Sequence, residues 1–309
     1  MKNLFTKIIP TYNKLQMKNN NSLIKTFLFS LTLLGAVSLF PNKANSEESP
    51  VCPDPSTTTI TSIADGGDAT SFFALTEGGF CRGTPESYGV TVYKMGFCTK
   101  NPGNPTGSSV LAGSSPDYSS CSWAYENTDG EPASFAAGGS IDLSEKFAKE
   151  PAVGTYSYAV MLIGKDFLIK GKFGPVGGNT YYSTSTYESS STDIDDYATT
   201  TAPLNSFGGS GNCTAYTEDE TVTGGTISAY LLNSSGTMLE NDSSLSKCSG
   251  QEKLLGVMNM STDLNITERT KGLKMTFTVT NNGMSVIANR TGTDIYMDSG
   301  PFSVVFDTF

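Results

Sequence analysis

Apolar and polar positions alternate with a period of two along several stretches of this chain, and the most regular of them runs from Gly154 to Phe173. Tyr156, Tyr158, Val160 and Leu162 share one face of its first arm. The second arm sets Phe167, Ile169 and Phe173 against Lys170 and Lys172. Both arms are rich in β-branched and aromatic residues, which suit a pleated backbone, and Gly164-Lys165-Asp166 between them predicts the turn of a β-hairpin. Pro151 and Gly154 precede the segment and Gly174-Pro175 follows it, so a helix through it is excluded. Tyr88 to Cys98 alternates in the same way, with Tyr93, Met95 and Phe97 expected on one face. Leu273, Met275, Phe277 and Val279 alternate with Lys274, Thr276, Thr278 and Thr280. Asn282-Gly283 then signals a type I′ turn, Met284 to Ala288 returns, and Phe302 to Phe309 predicts a last strand. Helical spacing is confined to Ile141–Lys149, where Asp142 or Ser144 would cap one or two turns. The pattern predicts a mainly β fold: antiparallel β-sandwiches with at most one or two short helices.

The first part of the chain reads differently. Thr26 to Phe40 is an apolar run of secretory-signal length, too short to span a bilayer, with Lys18 and Lys25 before it. Ala44-Asn45-Ser46 supplies the small residues a signal peptidase requires, which predicts a removed leader over residues 1–46. All six cysteines follow that cut: Cys52, Cys81, Cys98, Cys121, Cys213 and Cys248. An even count in an exported chain, without a C-x-x-C pair, predicts disulfides rather than a zinc site or a redox centre. Residues 183–212 are rich in Ser, Thr and Gly and read as a linker or long loop. On that division residues 47–182 form a β-sandwich domain with four cysteines. Residues 213–309 form a second β-domain, or the second sheet of a single larger sandwich. Bridges kept within each half leave three pairings, all of which join Cys213 to Cys248.

Net charge is −10 and charged residues make up 16% of the chain. Neutralising phosphates is the main source of affinity for nucleic acid, so nucleic acid is excluded as a partner, and no membrane span is expected after leader removal. The absence of histidine removes Ser-His-Asp and Cys-His nucleophile systems, the histidine zinc sites and the usual general base. Ser244-Leu-Ser-Lys247 matches S-x-x-K without the partner motifs that give it meaning. No enzyme is therefore expected, and no organic cofactor. Calcium is the one cation left open, with Asp193, Asp195 and Asp196 as first ligands and Asp65 and Asp68 second, although neither group follows an EF-hand pattern.

Those exclusions point to an exported β-protein, extracellular, on the cell surface or in the periplasm, with a structural or adhesive role. Its partners would be copies of itself, another surface protein or a glycan. One alternative is a carbohydrate-binding module or carboxylate-only glycosidase that stacks sugars on Trp123, Tyr181, Tyr182 or Tyr187. Another, raised by the terminal Phe309, is an outer-membrane barrel. The terminal strand also carries a third expectation: Phe302, Val304 and Phe306 mark an edge to which a further strand could add. Glycosylation sequons stand at Asn233, Asn241, Asn259, Asn265 and Asn289, with a weaker one at Asn212.

Overall fold

The computed structural model describes residues 28–29, 50–54, 60, 80–136, 146, 148–207, 212–222, 224–244, 248–270, 273–288 and 295–308. Their strands are β1 (Leu28–Phe29), β2 (Phe80–Gly83), β3 (Ser87–Cys98), β4 (Cys121–Ala136), β5 (Gly154–Gly164) and β6 (Asp166–Lys170). There follow β7 (Lys172–Val176), β8 (Asn179–Ser183), β9 (Ser190–Ser191), β10 (Thr200–Pro203), β11 (Tyr216–Val222) and β12 (Gly225–Asn233). The last are β13 (Gln251–Ile266), β14 (Leu273–Thr278), β15 (Met284–Ala288), β16 (Ile295–Ser299) and β17 (Ser303–Thr308). Two single turns of 3₁₀ helix, Tyr118–Ser120 and Ile194–Asp196, are each capped by the preceding Asp side chain. The fold is mainly β, as the alternation predicts, and among the described residues the pairings between named strands are antiparallel apart from the two-residue parallel pair of β1 and β14, with isolated parallel bridges at Val51–Arg82 and Ile60–Val176.

Strand β3 organises the largest sheet. It pairs with β4 along one edge, while β5 and β6 share the other. From β5 the sheet extends through β13 and β12 to β11, and from β6 to β10, giving eight strands in all. Three smaller sheets, β1-β14-β17, β16-β15-β2 and β7-β8-β9, complete the described architecture. Among the described residues the large sheet stays open, ending on the separate edges β10, β4 and β11. Among the described residues no helix is long and apolar enough to cross a membrane.

Two expected turns do not close hairpins. β5 and β6 run in the same direction along β3, with Ile163 opposite Val92 and Leu168 opposite Gly89. At the would-be turn the Lys165 N–H donates to the Glu252 carbonyl (3.2 Å), and the Lys165 carbonyl accepts from the Leu204 N–H (2.9 Å). Gly164 also lacks the positive φ that a two-residue hairpin turn demands. The second case is Asn282-Gly283. There Asn281 carries the positive φ of 57°, and its N–H donates to the Thr84 hydroxyl (2.8 Å). The chain does reverse, but β14 goes to β17 while β15 goes to β2 and β16.

A smaller correction falls inside β3. The register shifts between Val92 and Lys94, so Tyr93 bulges out of the alternation. Met95 then joins Val90 and Val92 in the main core, while Tyr93 lies against the opposite face of the sheet.

The main core fills the space between one face of the large sheet and the smaller sheets. Tyr88, Ile169 and Ala202 from the former meet Val286, Ile295 and Met297 from the latter, all almost fully buried. Each such aliphatic or aromatic side chain contributes about 1.5–3 kcal/mol of burial. The opposite face buries Val160, Leu162, Tyr230, Leu232, Leu255 and Val257. Residues 99–120, a Pro-, Gly- and Ser-rich stretch, cover it. The Gly113 N–H donates to the Met238 carbonyl and the Met238 N–H to the Ser114 carbonyl, both at 2.9 Å, while Asn101 Nδ2 donates to the Tyr230 hydroxyl at 2.9 Å. Gly103 lies against the Tyr230 ring, where an added Cβ would come within 2.5 Å of two ring carbons. Only a glycine lets the cover approach so closely.

All six cysteines are paired, as Cys52–Cys81, Cys98–Cys121 and Cys213–Cys248. This is one of the three pairings the cysteine division allows. Residues 183–212 are not a bare connection: Thr200–Pro203 pairs with β6. Strands before and after that stretch share one sheet, because β13 takes the edge of β5 that a two-sandwich division leaves open. β5 is buried on both faces from Ala159 onward, and such a central strand has backbone groups to satisfy on both sides. The leader other than 28–29, most of the expected helical turn at 141–149, Asp65, Asp68, Asn289 and Lys247 lie outside the described residues.

Candidate functional site

Arg82 is the most deeply buried charged side chain described, 2% exposed, and it sits on β2 directly after the bridged Cys81. Its guanidinium donates to Ser285 Oγ on β15 and lies 5.2 Å from the Phe80 ring centroid. Ser285 Oγ passes a bond on to the Ser299 carbonyl at 2.9 Å. Asp298, at the end of β16, accepts from the Tyr187 hydroxyl (3.2 Å) and from the Ser299 N–H (2.6 Å). Nearby, the Tyr88 hydroxyl donates to the Gly300 carbonyl at 3.0 Å. Three strands of the small sheet and the segment after β8 therefore meet at one polar junction inside an apolar wall.

The electrostatics follow from burial. Loss of solvent raises the Asp298 carboxyl above its ordinary range and Glu188 adds like-charge repulsion, while the Arg82 charge pulls the other way. Burial lowers Arg82 to about 10, with Asp298 opposing. The Tyr187 hydroxyl is pushed well up, first by burial and then by Asp298 and Glu188. Glu188 itself adopts a left-handed backbone, φ 56°, uncommon for a residue with a Cβ. The arrangement holds these elements together through internal hydrogen bonds.

A second cluster surrounds the only tryptophan. Trp123 on β4 stands opposite Gly96 on β3, and a Cβ on Gly96 would come within 2.9 Å of the indole. Lys94 Nζ lies over the Trp123 ring at 5.1 Å, and Tyr118 meets it edge-on at 5.2 Å. Lys94 also pairs with Glu126 (2.6 Å), as does Lys149, and the two cations hold that carboxyl below its ordinary range. The half-buried indole thus packs against a glycine backbone, a cation and a phenol ring.

The predicted tyrosines separate. Tyr181 and Tyr187 are half-buried against the main core. Tyr182 instead pairs with Tyr197 at a centroid distance of 5.1 Å. Tyr197 is held in place by its hydroxyl, which donates to Glu86 at 2.7 Å, and by Lys170 Nζ at 4.3 Å from its ring. Of the three tyrosine candidates, Tyr182 stands in a half-buried aromatic pair, as Trp123 does with Tyr118.

The acidic loop closes on itself. Asp193 accepts from the Asp195 N–H (3.0 Å) as a helix cap, and Asp196 accepts from Ser191 Oγ (2.7 Å). Asp195 is exposed. Among the described residues no group of three or more acidic or cysteine side chains is arranged to hold a metal. In the terminal strand, Phe302 is half-buried with its ring 5.9 Å from Tyr88 and 5.8 Å from Phe277. Val304 and Phe306 stand opposite Phe277 and Met275 in the β17–β14 register.

Arg82, Asp298, Tyr197 and Lys94 are absent from the sequence-based candidates. Their partners are distant along the chain, and only Arg82 carried a local hint, its place beside a disulfide cysteine in an extended run. No protein-family model, curated protein or solved structure matches this chain.

Proposed function

We propose that this chain is an exported, non-enzymatic protein of the cell surface or extracellular space, with a structural or adhesive role. The observation that carries the reading is the pairing of all six cysteines. Cys52–Cys81 ties the segment at 50–54 to β2, Cys98–Cys121 joins the paired ends of β3 and β4, and Cys213–Cys248 joins the segments that lead into β11 and β13; such bridges persist in oxidising compartments. The polar clusters support the non-enzymatic part: Asp298 serves Tyr187, Glu126 serves two lysines and Glu86 serves Tyr197, so their carboxylates are committed to internal bonds. Fractionation of the native source with immunogold electron microscopy tests the proposal. Label on the cell surface or on extracellular assemblies is expected; label confined to the cytoplasm, with thiols that react before reduction, overturns it.

A second reading, glycan binding, is favoured by the Tyr182–Tyr197 pair, whose fixed rings offer a stacking surface. It predicts glycan-array binding that is lost in Tyr182→Ala, and an array without any binder rejects it.

A further inference from the structure

We infer that Asn233, the last residue of β12, is a modification site that carries an N-linked glycan. The inference rests on the exported reading, because such glycans are found on secreted chains. Sequons are not spread evenly along the sequence. After Asn205 the chain holds eight asparagines and six of them head an N-x-S/T triplet; from Glu47 to Asn205 it holds five, and none heads a triplet with a permitted middle residue. The Ser and Thr content of the later stretch would give about two by chance. Spacing alone does not rank these six asparagines, and the fold does.

Four of the described sequons are held by long-range structure. Asn259 lies within β13, opposite Thr226 of β12 on one side and Tyr158 of β5 on the other. Asn265 stands further along the same strand, where its side-chain oxygen accepts from Thr155 Oγ1 at 2.6 Å. Asn212 precedes the bridged Cys213, and the Asn241 side chain accepts from the Ala215 N–H at 2.7 Å. A glycan at any of these would have to be fitted around a sheet or a cross-link.

Asn233 is held by its own neighbours. The register with β13 breaks after Leu232, and residues 233–237 form a turn. There the Gly236 N–H donates to the Asn233 carbonyl and the Asn233 N–H to the Thr237 carbonyl, both at 2.9 Å, and Gly236 takes a left-handed φ of 81°. The Asn233 side-chain oxygen accepts from the Thr237 N–H at 3.0 Å and from Ser235 Oγ at 2.7 Å. Two donors on Oδ1 fix the plane of the carboxamide, and among the described residues nothing pairs with Nδ2. The hydroxyl that the motif requires at its third position is therefore already on the carboxamide. Ser234 and Ser235 are exposed beside it. These contacts span no more than four residues, so the chain can adopt the geometry before its sheets assemble. In the transfer, Nδ2 bonds to the anomeric carbon of a sugar carried on a polyprenyl diphosphate. The carbon–oxygen bond to the diphosphate breaks, the diphosphate leaves with the electron pair, and one Nδ2 proton is released.

Mass spectrometry of the protein purified from its native source, read on the proteolytic peptide that contains Asn233, provides the test. A glycopeptide at Asn233 is expected. In the same host Ser235→Ala abolishes that occupancy, whereas Ser235→Thr, which keeps the hydroxyl, retains it. Ser235 is exposed, so both variants fold, and thermal melts of the two verify this. A bare Asn233 overturns the inference. So does occupancy that survives Ser235→Ala in a folded protein, or glycan confined to Asn259 or Asn265. Fractionation separates this failure from that of the exported reading: surface-labelled protein with a bare Asn233 removes the glycan alone, and label confined to the cytoplasm removes both.

Discussion

Removing one disulfide tests how the second face of the large sheet is kept covered. In C98A/C121A the loop 99–120 keeps its packing partners but loses its closure. For the observed separation of 23 residues the chain-entropy model assigns that closure about 3.4 kcal/mol of stability. The same model assigns about 3.8 kcal/mol to Cys213–Cys248, with its separation of 35, so the two bridges should be close in global effect. Against a typical total of about 5–15 kcal/mol such a loss is large, and it corresponds to roughly 7–14 °C in Tm for a protein of this size. What distinguishes the first bridge is where the damage appears. The Leu111 N–H, bonded to the Gly103 carbonyl, and the Gly113 N–H, bonded to the Met238 carbonyl, belong to the cover. Urea denaturation gives the global figure, and native-state hydrogen exchange reads those amides. Their protection should collapse in C98A/C121A and survive in C213A/C248A. A loss under about 1 kcal/mol with both amides still protected would mean that packing on Tyr230 and Leu232 holds the cover without the bridge, and the reasoning fails.

Three other outcomes follow from the same contacts. Gly103→Ala forces a methyl into the buried Tyr230 ring, 2.5 Å from two of its carbons, and should cost about 1–3 kcal/mol in denaturant melts; a neutral result would show that the cover does not rest on that ring. Asp298 has its carboxyl raised above the ordinary 3.8 by burial, with Glu188, Tyr187 and Arg82 around it and Tyr88 and Tyr296 coupled to it. The folded state therefore binds this proton more tightly than the unfolded one, so the group's contribution to stability is largest at low pH and falls as pH rises from 3.8 through the folded value. Asp298→Asn should flatten that segment of the stability–pH curve, and an unchanged slope refutes the assignment. Trp123→Ala should lower stability by about 2–3 kcal/mol, less than for a fully buried tryptophan, because the half-buried indole packs on Gly96, Lys94 and Tyr118; calorimetry without a measurable shift would refute that packing role.

Alternation and cysteine parity are local or countable properties, and they carried most of the fold. The period of two over Tyr88–Cys98, Gly154–Lys170 and Leu273–Thr278 marked strands that the structure contains. Cysteine parity predicted that the cysteines pair, and all six do. The candidate site was less legible. Its residues come from β2, β3, β15, β16 and the segment after β8, and Arg82 and Ser285 lie 203 positions apart. A buried arginine looks like any surface arginine until the strand beside it supplies a hydroxyl and the next a carboxylate.

By itself the sequence determined the class of structure, because backbone geometry is written in neighbouring side chains, and six cysteines without a metal spacing pair off. Tertiary structure decided the pairings. Gly164-Lys165-Asp166 and Asn282-Gly283 both allow the chain to reverse, yet neither joins its flanking strands. Distant partners claim backbone groups at those corners: Glu252 and Leu204 bond Lys165 in one case, and in the other Thr84 accepts from the Asn281 N–H while the Gly300 N–H donates to the Gly283 carbonyl. A turn signal records what the local chain can do, and a hydrogen-bond donor goes to whichever acceptor the whole fold brings within reach.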